Sequence, residues 1–462
     1  MLRIPFFRPS IGPEEIDEVV ATLKSGWLTT GPKTKQFERE FAEYLRKKHA
    51  VAVNSCTAAL HLALEAIGLK AGQGVIVPTM TFAATAEVVR YLGGRPILVD
   101  CHEHDFNLDV ADAERKIQSA LADEQPVVAI MPVHYGGQVG DALGVQALAK
   151  RFDLKIIEDA AHCCPAYYRS SSLPQEERAG ERRPDQPPAP GPQGSAFHVP
   201  PASPHRLGRG EGQGEVVQFS TLNSQLSTAS DWLPVGSSAD ISCFSFYANK
   251  CITTGEGGMA CTDNDEFADR MRIMSLHGIS RDAWKRYTGE GSWYYEIIAP
   301  GYKYNFTDIA SAIGIHQLRK ADLFHQRRSA IAAQYRDLLA GVEEVTLLTS
   351  NPDRIHSWHL FVIRLRLEKL QIDRAQVISE LQKAGIGTSV HWLPLHMHPY
   401  YRQTFGYEPH DLPVAARLYP EIVTLPLYPD MSEADVKYVC DTLKQIIVQH
   451  LRPTGAALSP VR

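Results

Sequence analysis

Between about residues 50 and 160 the chain alternates short β-branched runs with segments of helical period. The pattern predicts strands at Ala50–Asn54, Gly74–Pro78, Pro96–Cys101, Val127–His134 and Leu154–Asp159. Between the first two, Leu60, Leu64 and Ile67 recur at i, i+4 and i+7, the apolar stripe of a helix. Strand, helix, strand at this spacing builds βαβ units, and hence an α/β fold around a mostly parallel sheet. The active sites of such sheets lie at the carboxyl ends of the strands.

The alternation then stops. Nine of the thirty prolines fall between Arg169 and Gly214, among Gly, Arg and Glu, with few aliphatic side chains. Such a stretch cannot bury enough apolar surface to offset its ordering entropy, so residues 169–234 read as a disordered insertion. Order is expected again near Val235, with strands Ile241–Tyr247 and Gly258–Thr262. A long helical pattern, bent or broken, runs from Asp308 to about Leu339 with Thr307 as its N-cap. Beyond it a strand at His359–Leu367, a helix near Arg374–Ala384 and a closing helix at Ser432–Val448 suggest a smaller α+β domain. The expected division is 1–325, 326–452 and a frayed tail, 453–462.

Composition narrows the function. A formal charge of −6 leaves no basic excess for a general nucleic-acid binder. The N-terminus lacks the apolar run of a signal peptide, and no uncharged stretch approaches the roughly 20 residues that span a bilayer, so a cytoplasmic chain is expected. The eight cysteines are scattered, the closest pair being Cys163-Cys164, and read as buried, reduced thiols. His391, His396 and His398 cluster without a carboxylate or cysteine at ligand spacing, so no metal site is expected.

Two strands end in residues that carry chemistry. One leads to Glu158-Asp159. The other passes through Phe244-Ser-Phe-Tyr-Ala-Asn to Lys250, followed by a turn containing Gly255-Glu-Gly-Gly258. An amine and a carboxylate at one sheet edge are the pair that pyridoxal 5′-phosphate (PLP) catalysis needs: the amine bonds the aldehyde, and the carboxylate keeps the ring nitrogen protonated. Alone, such residues are more often surface charges. The segment Asn54-Ser-Cys-Thr-Ala-Ala59 adds a helix start whose free amides favour a phosphate, though Ser55 or Thr57 could be a simple N-cap. Phe82 follows a strand end and could stack on a flat heterocycle or sit in the core.

These pieces together resemble the DegT/DnrJ/EryC1/StrS sugar aminotransferases, PLP enzymes of fold type I. The resemblance rests on Ser25-Gly-Trp-Leu-Thr-Thr-Gly-Pro32, Asn54-Ser-Cys-Thr-Ala-Ala-Leu60, Pro132-Val-His-Tyr-Gly136, Glu158-Asp-Ala-Ala-His162, Ser245-Phe-Tyr-Ala-Asn-Lys250, Gly255-Glu-Gly-Gly258 and Gly301-Tyr-Lys-Tyr-Asn-Phe-Thr-Asp308. It runs from about Pro5 to Val448, residues 169–234 excepted. It implies a fold-type I sheet sandwiched by helices, a cytoplasmic enzyme of polysaccharide biosynthesis, and a role for each matched residue. Lys250 would form the Schiff base with PLP and shuttle the proton. Asp159 would face the pyridine nitrogen, His162 the phenolic oxygen and Phe82 the ring face. Cys56, Thr57 and Ser245 would bind the phosphate, joined by Asn305 of a second subunit, which makes a homodimer part of the site. The loop carrying Trp27, Thr29 and Thr30, together with His391, would lie towards the sugar. The partners implied are glutamate as amino donor and a nucleotide-linked keto-sugar as acceptor. Ala299-Pro-Gly-Tyr-Lys-Tyr-Asn305, His356-Ser-Trp-His359 and Gly385-Ile-Gly-Thr388 look nearest to enzymes aminating C4 of UDP-keto-sugars, the UDP-4-amino-4-deoxy-arabinose branch among them.

Two features leave alternatives open. Relatives that act as PLP-dependent sugar dehydratases replace the lysine with histidine, so Lys250 favours transamination; a cyclitol acceptor is a further variant. Ninety-one positions separate Asp159 from Lys250. The resemblance implies an insertion of about 60 residues between Tyr168 and Val235, which a fold tolerates because closure entropy grows only logarithmically with loop length. An insertion beside the active site also admits a non-catalytic scaffold that uses it to recruit partners.

Overall fold

The computed structural model describes residues 3–170, 231–280 and 295–453. In chain order the strands are β1 (His49–Val53), β2 (Gly74–Pro78), β3 (Arg95–Val99), β4 (Val127–Ile130), β5 (Lys155–Asp159), β6 (Tyr167–Arg169), β7 (Trp232–Pro234), β8 (Ile241–Ser245) and β9 (Gly258–Thr262). Seven of them form one sheet in the order β1-β9-β8-β5-β4-β2-β3. The ladders from β8 through β5, β4 and β2 to β3 are parallel, and β9 runs antiparallel to both of its neighbours. Six strands therefore share one direction, and their carboxyl ends open on one edge.

Both faces of this sheet are buried, which is why its strands read as continuous apolar runs rather than alternating ones. On β2, Val75 and Val77 enter one core with helices Cys56–Ala66, Ala84–Tyr91 and Asp265–Met274. Ile76, between them, enters the opposite core with helices Val110–Ala122 and Ala142–Phe152. The helix Cys56–Ala66 is buried well beyond the expected stripe: Ala58 through Leu64 are all inside. Helix Pro32–Leu45 covers the sheet near β8 through an aromatic cluster. Phe41 packs on Phe244 and Phe246 at 5.2 and 5.4 Å, and Phe37 on Phe246 at 5.2 Å.

A second, antiparallel sheet follows, made of β10 (Val345–Leu347), β12 (Phe361–Leu365) and β13 (Ile422–Leu425). Helices Ala321–Leu339, Arg374–Lys383 and Glu433–Gln449 pack around it in a core of its own. The chain start joins this layer, since Ile4 exchanges backbone hydrogen bonds with Gly385 and Gly387. The long helical pattern is broken as expected, into Asp308–Arg319 and Ala321–Leu339, and Thr307 caps the first half. Among the described residues no helix is long and apolar enough to cross a membrane. Seven of the eight cysteines are buried, and Cys56 is half-buried.

Some boundaries differ from the sequence reading. The strand expected over Val127–His134 ends at Ile130, and Val133 returns only as a single bridge to Asp159. Order expected again at Val235 already begins at Trp232. There β7 pairs antiparallel with β6, and β6 also pairs with β11 (Arg354–Ile355). Cross-strand pairing, invisible in the local composition, draws the two roots of the insertion into one ladder. Of the expected disordered insertion, residues 171–230 lie outside the described residues, as does the tail beyond 453.

The aromatic cluster makes a direct stability test. Truncating a fully buried phenylalanine removes its transfer free energy and leaves a cavity. Phe41→Ala is expected to lower the free energy of unfolding by about 3–5 kcal/mol, read from the shift in urea midpoint at unchanged m-value.

Candidate functional site

The shared strand direction collects the chemistry. A cavity of about 330 Å³ opens at the carboxyl edge, lined among others by Cys56, Thr57, Phe82, Asp159, His162, Ser245, Lys250 and His391. Eight residues expected to act together are thus brought to one hollow from four separate strand ends and a distant loop. Lys250 and Asp159, far apart in sequence, face the same space.

Asp159 ends β5, and Glu158 beside it points the other way, as successive strand residues must. Glu158 is buried behind the sheet, where Oε1 accepts from the Ser238 hydroxyl at 3.0 Å and Oε2 lies 3.6 Å from His134 Nε2. Asp159 instead meets the cavity. Its Oδ2 accepts from the Thr85 hydroxyl at 2.8 Å and its Oδ1 from the Ala161 amide at 3.1 Å. Burial pushes this carboxyl above its ordinary range, opposed by those two donors and by the Lys250 amine. A cation placed before it would restore the charged form.

Lys250 follows β8. Its amine makes no hydrogen bond or ion pair among the described residues, and burial pushes it below the ordinary lysine range against the pull of Cys56 and Asp159. A desolvated amine holds more of its population in the neutral, nucleophilic form.

Helix Cys56–Ala66 begins at the cavity. Ser55 is the N-cap, its hydroxyl accepting from the Ala58 amide at 3.1 Å. The Cys56 and Thr57 amides, in the first turn, have no intrahelical acceptor. Gly258, the first residue of β9, lies directly against this start: a Cβ there would fall 2.4 Å from Ser55 backbone carbon and oxygen and 2.5 Å from the Cys56 amide nitrogen. Only glycine lets β9 pass under the helix start. Phe82 is 61% exposed and presents its ring to the cavity, so it is no core residue.

His162 is neutral, held well below the ordinary histidine range by burial and then by nearby Lys250. Its Nδ1 accepts from the Gly136 amide at 3.2 Å, which assigns the proton to Nε2. Trp392 stacks on one side of the ring at 5.2 Å, and His359 lies at 4.4 Å. His391 pairs through Nδ1 with the Thr424 hydroxyl at 2.8 Å and rests on Phe6, its burial holding it at about 3. The neighbouring histidines go elsewhere: His396 Nδ1 meets the Thr79 hydroxyl and His398 Nε2 the Leu393 carbonyl. Among the described residues no three His, Cys, Asp or Glu side chains form a metal-ligand group.

Sequence reasoning assigned nothing to Thr85, Trp392 or His359. Thr85 is the second residue of helix Ala84–Tyr91 and Trp392 lies beside His391 in an irregular segment, so no periodicity marked them. His359 stood within a quoted motif without a role.

Trp27, Thr30 and Asn305 do not enter the Lys250 cavity of the same chain. They line a second hollow of about 590 Å³. There Asn305 Nδ2 donates to the Thr30 hydroxyl at 2.8 Å, and Trp27 Nε1 to the Thr30 carbonyl at 3.1 Å. The Thr29 carbonyl receives the Asp308 amide at 3.0 Å, fixing this loop to the helix that Thr307 caps.

Known proteins agree with this architecture. The sequence pattern of the DegT/DnrJ/EryC1/StrS aminotransferase family matches residues 9–182 and 227–444. The chain is 40% identical over 447 residues to the uncharacterized protein MJ1066 of Methanocaldococcus jannaschii, covering 97% of this chain and 98% of that one. It is 38% identical over 445 residues to the spore coat polysaccharide biosynthesis protein SpsC of Bacillus subtilis, covering 96% and 97%. Among solved structures, the candidate sugar aminotransferase Spr1654 of Streptococcus pneumoniae superposes with a TM-score of 0.77 in its PMP form, at 30% identity over 97% of this chain and 100% of that one. Its PLP form gives 0.76 at 30% identity over 96% and 99%. The α/β sheet with helices on both faces is thus the fold-type I architecture of PLP enzymes. The chain belongs to the DegT/DnrJ/EryC1/StrS aminotransferase family and takes pyridoxal 5′-phosphate as its cofactor.

Proposed function

We propose that this chain transfers an amino group from glutamate to the C4 ketone of a UDP-linked sugar, using Lys250 as its reactive amine. The observation that carries the proposal is the one cavity lined by both the buried Asp159 carboxylate and the Lys250 amine, which has no partner among the described residues. The UDP-sugar and C4 preferences rest on the resemblance of the 299–305, 356–359 and 385–388 motifs; the naming of SpsC supports a role in polysaccharide biosynthesis.

The residues present fit the cofactor. Lys250 would hold it covalently, Asp159 would pair with the ring nitrogen, Phe82 would cover the ring face and His162 Nε2–H would donate to the phenolic oxygen. The first-turn amides at Cys56 and Thr57, with the Ser245 hydroxyl, would take the phosphate where Gly258 keeps the approach open. When bound, PLP supplies an electron sink that stabilises negative charge on the substrate carbon. Lys250 Nζ accepts the α-proton of the amino donor in one half-reaction and gives a proton to the sugar carbon in the other. One base suffices because the two half-reactions are the reverse of one another in kind. Asp159, kept in place by Thr85 and Ala161, needs no movement between them.

The site is completed in this proposal by a second copy, whose Asn305 and Trp27–Thr30 loop would close over the Lys250 cavity. An exposed apolar stripe supports such an interface: Ile16, Val20, Leu23 and Trp27 recur at i, i+4, i+7 and i+11 from helix Pro13–Ser25 into the loop.

Purified protein with PLP is expected to show a visible cofactor absorbance that L-glutamate bleaches, and Lys250→Ala is expected to abolish the bleaching. Protein that binds PLP yet never responds to any amino donor would contradict the proposal. Asp159→Asn keeps the shape and removes the charge; kcat is expected to fall by about 10²–10³-fold, measured with saturating donor. Supplying UDP-, dTDP- and GDP-4-keto-sugars to the glutamate-treated enzyme identifies the acceptor, with recovery of the visible band expected for the UDP compounds.

A further inference from the structure

One wall of the Lys250 cavity carries a histidine that the reaction as described leaves idle. His359 is 4% exposed, and its Nδ1 is buried with no hydrogen-bond partner. The ring rests on His162 at 4.4 Å, tilted by 40°. Behind it, Arg328 donates to the Trp358 carbonyl at 3.2 Å and to the Leu427 carbonyl at 3.0 Å; ahead, the Leu360 amide donates to Gly136.

The orphaned Nδ1 assigns the tautomer. A buried N–H without an acceptor is rarer and costlier than an unused lone pair. Nδ1 therefore holds the lone pair and Nε2 the proton. Nε2 has no partner among the described residues and is not among the buried orphan atoms, so it is reached from the cavity. Burial, with His162, Lys250 and Arg328 close by, keeps the imidazole neutral throughout the range in which an enzyme works.

The cavity's cationic side chain, among the described residues, is Lys250 alone; no arginine lines it. A transaminase must receive two unlike molecules in turn, a carboxylate-bearing amino donor and an uncharged sugar ring. A guanidinium on this wall would suit the first and be left charged and unpaired by the second, a costly state in a buried site. A neutral N–H can donate to a carboxylate oxygen, more strongly, and to a hydroxyl or carbonyl oxygen, and leaves no unpaired charge with either. We propose that His359 Nε2–H is the hydrogen-bond donor shared by both substrates, an amino-acid carboxylate in one half-reaction and a sugar oxygen in the other. This rests on the transaminase reading above.

Three variants of the holoenzyme test it, with L-glutamate as donor probe and a UDP-4-keto-pentose as acceptor probe. His359→Phe keeps a ring against His162 and removes the donor. His359→Asn places an N–H only as far as the Nδ1 position. His359→Gln reaches the Nε2 position. Phe and Asn are each expected to raise the half-saturating concentration of both substrates about tenfold, with Gln recovering most of the loss. The single-turnover rate at saturation should change by less than about threefold, and the bound-cofactor absorbance should not change. A weakening confined to one substrate, no weakening in either Phe or Asn, or no recovery by Gln overturns the proposal. Wild-type protein that glutamate fails to bleach rejects the transaminase reading itself; a responsive wild type with unaltered affinities in the variants rejects only His359.

Discussion

An amine withdrawn from water and left without a hydrogen-bond partner among the described residues is unfavourable to maintain, and the architecture around Lys250 maintains it. The amine sits beyond the end of β8, in a hollow whose floor is the Asp159 carboxylate and whose rim is a helix start. Among the described residues no ion pair quenches it. That arrangement depends on the parallel sheet, because only strands running one way deliver their following turns to one edge. Reverse β5 or β8 and the carboxylate and the amine part company. The cores on the two faces, with Phe41 and its aromatic neighbours locking helix Pro32–Leu45 over β8, hold the strand directions on which this meeting relies.

The cavity is electrostatically sparse. Its histidines are neutral, for burial, with the nearby Lys250 amine adding to it, holds them below the ordinary histidine range. Its buried charge chemistry is therefore concentrated in the Lys250 amine and the Asp159 carboxylate, with the exposed Glu256 a second acid in the lining. Neutral histidines would suit the proposed succession of an amino acid and a sugar in one hollow. The hollow formed by Trp27, Thr30 and Asn305, together with the apolar stripe on helix Pro13–Ser25, is a separate surface of the same chain. The proposed dimer brings these two regions together.

Much of this was legible in the residues. Strands β2 and β9 matched their apolar runs residue for residue, because a fully buried strand bounded by turn residues has sharp edges. The pattern from Asp308 to Leu339 read as bent or broken, and the break falls at Lys320. Asp159, Lys250 and the helix start at Cys56 were visible because each sits at a strand end. What escaped depends on contacts between segments distant in sequence. The pairing of β6 with β7 joins residues on either side of the insertion. Thr85 is meaningful only through its bond to Asp159, and His359 only through its unsatisfied nitrogen. Position at the strand end did not separate Glu158 from Asp159, which the family resemblance alone singled out; strand alternation sends one behind the sheet and the other into the cavity.

The central claim, that Lys250 is the amine that takes the cofactor, is open to one direct chemical measurement. Protein incubated with PLP, reduced with borohydride and digested should yield a single pyridoxyl-bearing peptide, with the added mass on Lys250. Modification spread over other lysines, or absent from Lys250, would contradict it.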